Sequence, residues 1–151
     1  MKGFRLKIFL ALLLIPFFYV IFKLYAPRTA AFGCFDDCFN YGAGFFITKG
    51  KLLYRDIFFN HQPLMAYISA LIQSFTQPRN IYELLLRHRQ FMIIWNFFWA
   101  VVLLFQFGSA GMLFSLQYEL TKFYIFGDRF LAEGLIVYHF CIVTGKHLAL
   151  S

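Results

Sequence analysis

The sequence predicts an all-α membrane protein with about three transmembrane helices and a helical extracytoplasmic loop between the first and the second. Hydrophobic residues make up 61% of the 151 residues and charged residues only 14%, whereas soluble domains are about half apolar and about a quarter charged. The apolar residues are concentrated in stretches at about 8–25, 91–116 and 130–148. A soluble fold could not cover this much Phe, Leu and Ile, and its surface would be adhesive.

The first apolar stretch has a basic start, at Lys2, Arg5 and Lys7, followed by the run IFLALLLIPFFYVIF. This run becomes long enough to span if Lys23 extends its ammonium to the far interface. A cleaved signal peptide has the same basic start and apolar core, but no clean A-x-A cleavage site follows in YAPRTAAFG. We therefore expect a retained helix, a cytoplasmic N-terminus and an external loop at about 26–90, in a multi-pass protein of the plasma membrane. The basic residues within that loop oppose this orientation.

The stretch 91–116 is the clearest span, because it has no charged residue over about twenty-six positions. A helix of that length measures about 39 Å, longer than an apolar core of about 30 Å, so we expect it to tilt or protrude. Residues 117–129 are then predicted to form a short cytoplasmic turn, and a weaker third span follows at 130–148. That span contains Glu133 and His139. We expect Glu133 near the cytoplasmic interface and assign it no catalytic role.

The external loop is predicted to begin with a short helix and an irregular connector. Asp36 or Asp37 can cap a helix over about 38–48, and Gly50 is a natural residue just beyond its end. The residues at 51–59 indicate an extended or irregular segment. An ordinary solvated cap is the simplest role for the acidic pair on residue type alone.

Two further helix starts are predicted in the loop. Pro63 suits the first turn of a helix that runs through about Phe75. Asn80 and Glu83 resemble a capping box, and the helix that they start can continue through Arg89 into the second span.

Charged residues supply the candidate site. At a helix N-terminus the helix dipole favours an ionised carboxylate, so Asp36 or Asp37 could act as a base or hold a metal. His61, just before Pro63, could donate to an anion or bind a metal, and a plain surface role is the alternative. The basic residues of the loop could bind phosphate, or merely lipid headgroups and water; they are Lys49, Lys51, Arg55, Arg87 and Arg89.

Several functional classes have no signature here. The chain has no nucleophile elbow, P-loop, dinucleotide fingerprint or H-E-x-x-H motif. The formal charge of +7 fits membrane topology and anionic headgroups better than nucleic acid. Cys34, Cys38 and Cys141 predict neither a disulfide framework nor a zinc site.

The order of motifs between the first two spans carries a resemblance to a known family. The motifs are Asp36-Asp37, Tyr41 to Gly44, Gly50-Lys51-Leu52-Leu53-Tyr54-Arg55-Asp56, and Phe58-Phe59-Asn60-His61-Gln62-Pro63-Leu64 with Tyr67. This order resembles the first external loop of GT-C-type membrane glycosyltransferases that use polyprenyl-phosphate sugars, such as protein mannosyltransferases and lipid A aminoarabinose transferases. That loop typically reads Asp-Glu or Asp-Asp, then Gly-Lys and Tyr-Arg-Asp, then His/Lys-Pro-Pro-Leu. Gln62 departs from it by replacing the first Pro.

The resemblance implies transfer of a hexose or pentose from a polyprenyl-phosphate donor to an extracytoplasmic acceptor. Asp36 corresponds to the catalytic base toward the acceptor hydroxyl, and Asp37 fills the second acidic position. Basic residues or a divalent metal would stabilise the departing phosphate; the candidates for substrate and phosphate binding are Lys51, Arg55, His61, Arg87 and Arg89. Members of the family have eight or more spans, so we expect 1–151 to be an N-terminal portion of the membrane domain.

The residues leave two non-catalytic alternatives open. The first is a small multi-span protein that packs against a larger partner, since polar residues such as Asn96 and Gln106 within spans favour helix association. The second is a subunit that binds anionic lipid through the basic loop.

Overall fold

The computed structural model describes the backbone of residues 2–29, 31, 33, 36–125, 127 and 129–150, with side chains between 4 and 145. The helices are α1 (Lys2–Thr29), α2 (Asp37–Thr48), α3 (Pro63–Thr76), α4 (Ile81–Phe107), α5 (Ser109–Thr121) and α6 (Ala132–Leu150). A 3₁₀ turn, Lys122–Ile125, follows α5. The described part of the chain contains no β-strand, only an isolated bridge between Leu53 and Ile57. The predicted all-α class is confirmed.

Two helices have the length and apolar composition needed to cross a membrane, at Phe4–Thr29 and Ile81–Phe107. The predicted third span corresponds to α6, whose described apolar part, Ala132–Gly145, is shorter than these two. The hydroxyl of Tyr25 in α1 donates to the carbonyl of Glu119 at 2.9 Å, which joins α1 to α5.

The long apolar stretch at 91–116 is divided between two helices. Because α4 ends at Phe107, the helix stops well before residue 116. Gly108 has φ 61° and ψ −135°, a combination that side chains disfavour and Gly permits. A Cβ on Gly111 would collide with the carbonyl of Leu103. The chain thus turns back at Gly108 and packs α5 closely against α4.

This reversal changes where residues 122–131 lie. The guanidinium of Arg28, at the end of α1, lies 2.8 Å from the centroid of the Phe123 ring. Phe130 packs against Tyr41 of α2 and His88 of α4, with ring centroids 5.7 and 4.8 Å away. The segment predicted to be a turn at the cytoplasmic end therefore lies at the same end of the bundle as α2 and α3.

Helix α6 then runs beside α4 in the same direction. A Cβ on Gly134 would touch Met92, and one on Gly145 would touch Phe107. Between these contacts, the ring of His139 lies 4.0 Å from that of Trp99.

Helices α2 and α3 also run in the same direction. The rings of Phe39 and His61 are 5.6 Å apart near the two helix starts, and Gly44 meets Ser69 further along. The connector between the helices returns along α2 after Gly50, whose φ of 79° suits the turn predicted there. The predicted start of α3 at Pro63 is confirmed.

The helix caps agree only in part with those predicted from the sequence. Asn80 accepts from the Glu83 backbone N–H at 2.9 Å, as predicted. The Glu83 carboxylate accepts from the backbone N–H of Arg79 at 2.8 Å instead of from that of Asn80. Asp36 occupies the N-cap position of α2 but makes no side-chain capping bond, so its carboxylate is not engaged as a cap.

The cysteine interpretation is corrected in one respect. Cys38 is disulfide-bonded, whereas the sequence predicts no disulfide framework. Cys141 has a free thiol, and Cys34 lies outside the described residues. Disulfides persist in oxidising compartments.

Close packing of α2 on α3 gives a matched test at two glycines of α2. A Cβ at Gly44 would lie 2.5 Å from Ser69 Oγ and 2.8 Å from the Ala70 nitrogen, whereas one at Gly42 meets nothing within 4 Å. We expect Gly44→Ala to lower the free energy of unfolding by about 1–3 kcal/mol through overpacking. Gly42→Ala should raise it by about 0.5–1 kcal/mol, because Ala favours helix. SDS titration followed by circular dichroism measures both, and equal effects would contradict the packing described.

Candidate functional site

A pocket of about 360 Å³ lies where α2, α3 and α6 begin. We call it the acidic pocket; it is lined by Asp36, Asn40, His61, Gln62, Met65, Ile125, Leu131, Ala132 and Glu133. The sequence analysis predicted Asp36 and His61 as site residues, and the structure brings these two together.

The first turns of three helices meet at the acidic pocket, since α2 begins at Asp37, α3 at Pro63 and α6 at Ala132. Each helix N-terminus carries roughly half a positive charge on its free backbone N–H groups. Their combined potential favours a negatively charged group on a ligand.

The two members of the acidic pair have different environments. Asp36 is exposed and lines the pocket, whereas Asp37 is fully buried. The Tyr41 hydroxyl donates to Asp37 Oδ2 at 3.1 Å, and Arg129 Nη1 lies 3.8 Å from Oδ1. Burial and the Asp37 charge raise the pKa of Tyr41, so its hydroxyl stays protonated and keeps donating. Asp36 is thus the carboxylate that a ligand can reach, and Asp37 supports the structure.

The start of α6 is attached to α2 by Asn40. Its Nδ2 donates to the carbonyl of Phe130 at 3.2 Å, and Phe130 is fully buried. Asn40 Oδ1 is buried and has no hydrogen-bond partner among the described residues. Since buried polar atoms are usually paired, this oxygen is an available acceptor at the pocket wall.

Glu133 lies at the same end of the bundle as Asp36, whereas the sequence predicts the two near opposite membrane interfaces. It lines the acidic pocket with Asp36 because α5 returns the chain to this end. Asn40 is not among the site residues predicted from the sequence. It is four residues after Asp36, a spacing that brings two side chains to one helix face, so the sequence did contain that signal.

His61 is half-buried among aromatic rings. The rings of Phe39 and Phe59 lie 5.6 Å away. Its carbonyl accepts from the Tyr54 hydroxyl at 2.8 Å, which ties the connector to the start of α3. These contacts hold the imidazole at the pocket.

Two of the predicted phosphate-binding residues lie on the exposed connector, outside the acidic pocket. The Arg55 guanidinium is paired with Asp56 through bonds of 2.9 and 3.0 Å. The hydrogen bond from the Arg55 side chain is the main cause of the lowered pKa of Asp56. Lys51 is exposed beside them. Neither residue lines the pocket, so their predicted roles have no geometric support.

Arg89 and Arg87 are two residues apart but differ in burial and in hydrogen bonding. Arg89 is buried. Its guanidinium donates to four carbonyls at and beyond the end of α1, those of Arg28 and Ala31 at 2.7 Å, Gly33 at 2.8 Å and Thr29 at 3.4 Å. Those bonds occupy the donors that a phosphate would need. Arg87 is exposed and donates to Gln90 at 3.3 Å.

Arg87 also borders an apolar groove between α3 and α4, with a volume of about 360 Å³. The groove is lined by Leu71, Ile72, Phe75, Thr76, Arg87, Gln90, Phe91 and Ile94. It offers an apolar surface with one cation at its edge.

The predicted divalent metal gains no ligand set from the structure. No group of three or more His, Cys, Asp or Glu side chains lies close enough to hold a metal within the described ranges.

The two arginines give a prediction with a built-in control. We expect Arg89→Gln to lower the free energy of unfolding by about 3 kcal/mol, because it removes charge-assisted hydrogen bonds and leaves partly buried carbonyls unpaired. Arg87→Gln should change it by less than about 0.5 kcal/mol, as exposed substitutions usually do. Both values can be measured by SDS titration. If Arg89→Gln is as stable as Arg87→Gln, Arg89 does not fasten α1.

Comparison with known proteins identifies no relative of this chain. The sequence matches no protein-family model, and no curated protein or solved structure is significantly similar to it.

Proposed function

We propose that this chain is a membrane glycosyltransferase, or a portion of one, that moves a sugar from a polyprenyl-phosphate donor to an acceptor outside the cytoplasm. The observation that carries the proposal is that Asp36, the exposed member of the acidic pair, shares a pocket with His61 at the start of three helices. The resemblance of the loop motifs supplies the reaction class, and the pocket supplies a base and an anion-stabilising environment.

In the proposed reaction, the ionised Asp36 carboxylate takes the proton of the acceptor hydroxyl. The acceptor oxygen then bonds to the anomeric carbon of the sugar while the bond from that carbon to the phosphate oxygen breaks. Polyprenyl phosphate leaves with the electron pair of that bond. A nearby carboxylate also stabilises the positive charge that develops on the sugar ring in such transition states.

The leaving phosphate gains negative charge, which the pocket is suited to stabilise. The backbone N–H groups at the starts of α2, α3 and α6 favour an anion, and His61 can donate a hydrogen bond from its ring. The role of Asp37 in this proposal is indirect: its contacts with Tyr41 and Arg129 fix the first turn of α2 and thereby orient Asp36.

We further propose that the acidic pocket faces the outside of the plasma membrane and that the N-terminus is cytoplasmic. Support comes from the basic residues in the first two turns of α1 and from the disulfide at Cys38, because disulfides form and persist in oxidising compartments. Two helices are long and apolar enough to cross the bilayer between these sides.

A second candidate function rests on the apolar groove beside Arg87. An acyl or prenyl chain fits its Leu, Ile and Phe lining, and Arg87 can pair with a phosphate. The chain would then bind anionic lipid without chemistry, alone or together with a larger membrane partner.

Substitution of the acidic pair tests the proposed chemistry. The chain would be reconstituted in liposomes and supplied with radiolabelled polyprenyl-phosphate mannose or polyprenyl-phosphate aminoarabinose. We expect Asp36→Asn to reduce sugar transfer at least about 100-fold, the contribution of a general base, without loss of stability. Asp37→Asn should instead lower the unfolding free energy by about 1–3 kcal/mol, because it weakens a buried hydrogen-bonded pair.

The matched control is Asp56→Asn, which removes an exposed carboxylate that pairs with Arg55 away from the pocket. It should transfer sugar at the parental rate. Undiminished transfer by Asp36→Asn would rule out the proposed base. A parent chain that binds the donor lipid but transfers no sugar would favour the second candidate.

A further inference from the structure

A second, larger pocket lies at the opposite ends of α2 and α3, with a volume of about 660 Å³. We call it the basic pocket; it is lined by Phe45, Thr48, Lys49, Gln73, Ser74, Gln77, Pro78, Arg79, Asn80, Ile81 and Leu84. We propose that this pocket binds the phosphate ester of a hydroxyl-rich headgroup, such as a sugar phosphate or a phosphoglycerol. The proposal is independent of the chemistry at the acidic pocket.

The charge of the lining selects an anion. Lys49 and Arg79 line the pocket, and no Asp or Glu is among its lining residues. Neither cation takes part in an ion pair within the described residues. The nearest acidic side chain along the chain, Glu83, accepts from the backbone N–H of Arg79. Both cations are exposed, so they remain available to a phosphate.

The uncharged lining suits hydroxyl groups. Gln77 and Asn80 present amides, and Thr48 and Ser74 present hydroxyls. The hydroxyls of Thr48 and Ser74 donate to backbone carbonyls at 2.7 and 2.8 Å, which leaves their oxygens as acceptors. A headgroup with several hydroxyls can therefore exchange hydrogen bonds with this wall, in addition to the charge pairing.

An aromatic ring and a left-handed residue complete the wall. Phe45 is 46% exposed and offers a flat face on which a sugar ring can lie. Gln77 is held at φ 43° and ψ 59°, a left-handed conformation that costs a non-glycine residue free energy. Its side chain is thereby placed at the pocket, between α3 and the segment that carries Arg79.

The size of the pocket also fits such a ligand. Ligand sites commonly have volumes of roughly 300–1,000 Å³, and the basic pocket falls within this range. The phosphate could be free or could belong to a lipid headgroup, since the same contacts would recognise both.

The test measures binding to the full chain in two settings. In detergent, calorimetry measures the binding of glucose 6-phosphate, which is the soluble probe, and of glucose, which is its uncharged counterpart. In phosphatidylcholine nanodiscs, phosphatidylglycerol is the lipid probe, and bound lipid is counted by native mass spectrometry. Saturable binding in either setting identifies the source of the phosphate.

The variants separate a specific site from general charge attraction. We expect Lys49→Gln and Arg79→Gln each to raise the dissociation constant roughly tenfold, since each removes a charge-assisted contact. The matched control is Lys23→Gln: the Lys23 and Lys49 ammonium groups both lie 5.6 Å from the ring centroid of an aromatic residue four positions earlier, but Lys23 is not at the pocket. The Lys23→Gln variant should bind the phosphate probes with the affinity of the parent chain.

Ser74→Phe tests occlusion without any change of charge, and it should abolish binding. Glucose should not bind measurably where glucose 6-phosphate does. Absence of saturable binding of both phosphate probes would overturn the proposal. Equal weakening by Lys23→Gln and Lys49→Gln, or parental affinity in Ser74→Phe, would overturn it as well.

Discussion

The candidate site depends on the attachment of the start of α6 to the start of α2. The hydrogen bond from Asn40 to the Phe130 carbonyl and the approach of Arg129 to Asp37 hold these segments together. The groups involved are largely buried, and buried polar groups without partners are costly, so few alternative arrangements of the segment are available. Through this attachment Glu133 joins Asp36 in one pocket. Asp36 stays exposed at this pocket, whereas the neighbouring Asp37 makes the buried contacts.

Two further polar contacts hold the bundle that supports this site. Arg89 fastens the end of α1 to α4, which fixes the chain that leads into α2. Glu119 and Lys122 form a fully buried ion pair of 2.7 Å, and the Tyr138 hydroxyl donates to Glu119 at 3.2 Å. Removing one member of such a pair leaves an uncompensated charge, so the turn after α5 is strongly constrained. These contacts hold the turn at the end to which α5 has already returned the chain.

Local sequence signals predicted local structure well. The α3 start at Pro63 and the α4 start after Asn80 follow from the chemistry of one helix turn. The end of α4 was not predictable in this way. A hydropathy window averages over Gly108, and that single residue reverses the chain. The place of Glu133 depends on this reversal and could not be predicted. Neither could the difference between Asp36 and Asp37, since only tertiary packing decides which carboxylate is covered.

The central claim is that the connector after α2 and the turn after α5 lie on the same side of the membrane, where they frame the acidic pocket. Phe58→Cys and Tyr124→Cys, at residues 96% and 79% exposed, can be labelled with a membrane-impermeant maleimide in intact cells. Ser109→Cys reports the opposite end, and the parent chain, labelled in parallel, gives the background. The account predicts labelling of the first two variants from outside and of Ser109→Cys only after permeabilisation. Labelling of Phe58→Cys and Tyr124→Cys from opposite sides would contradict it.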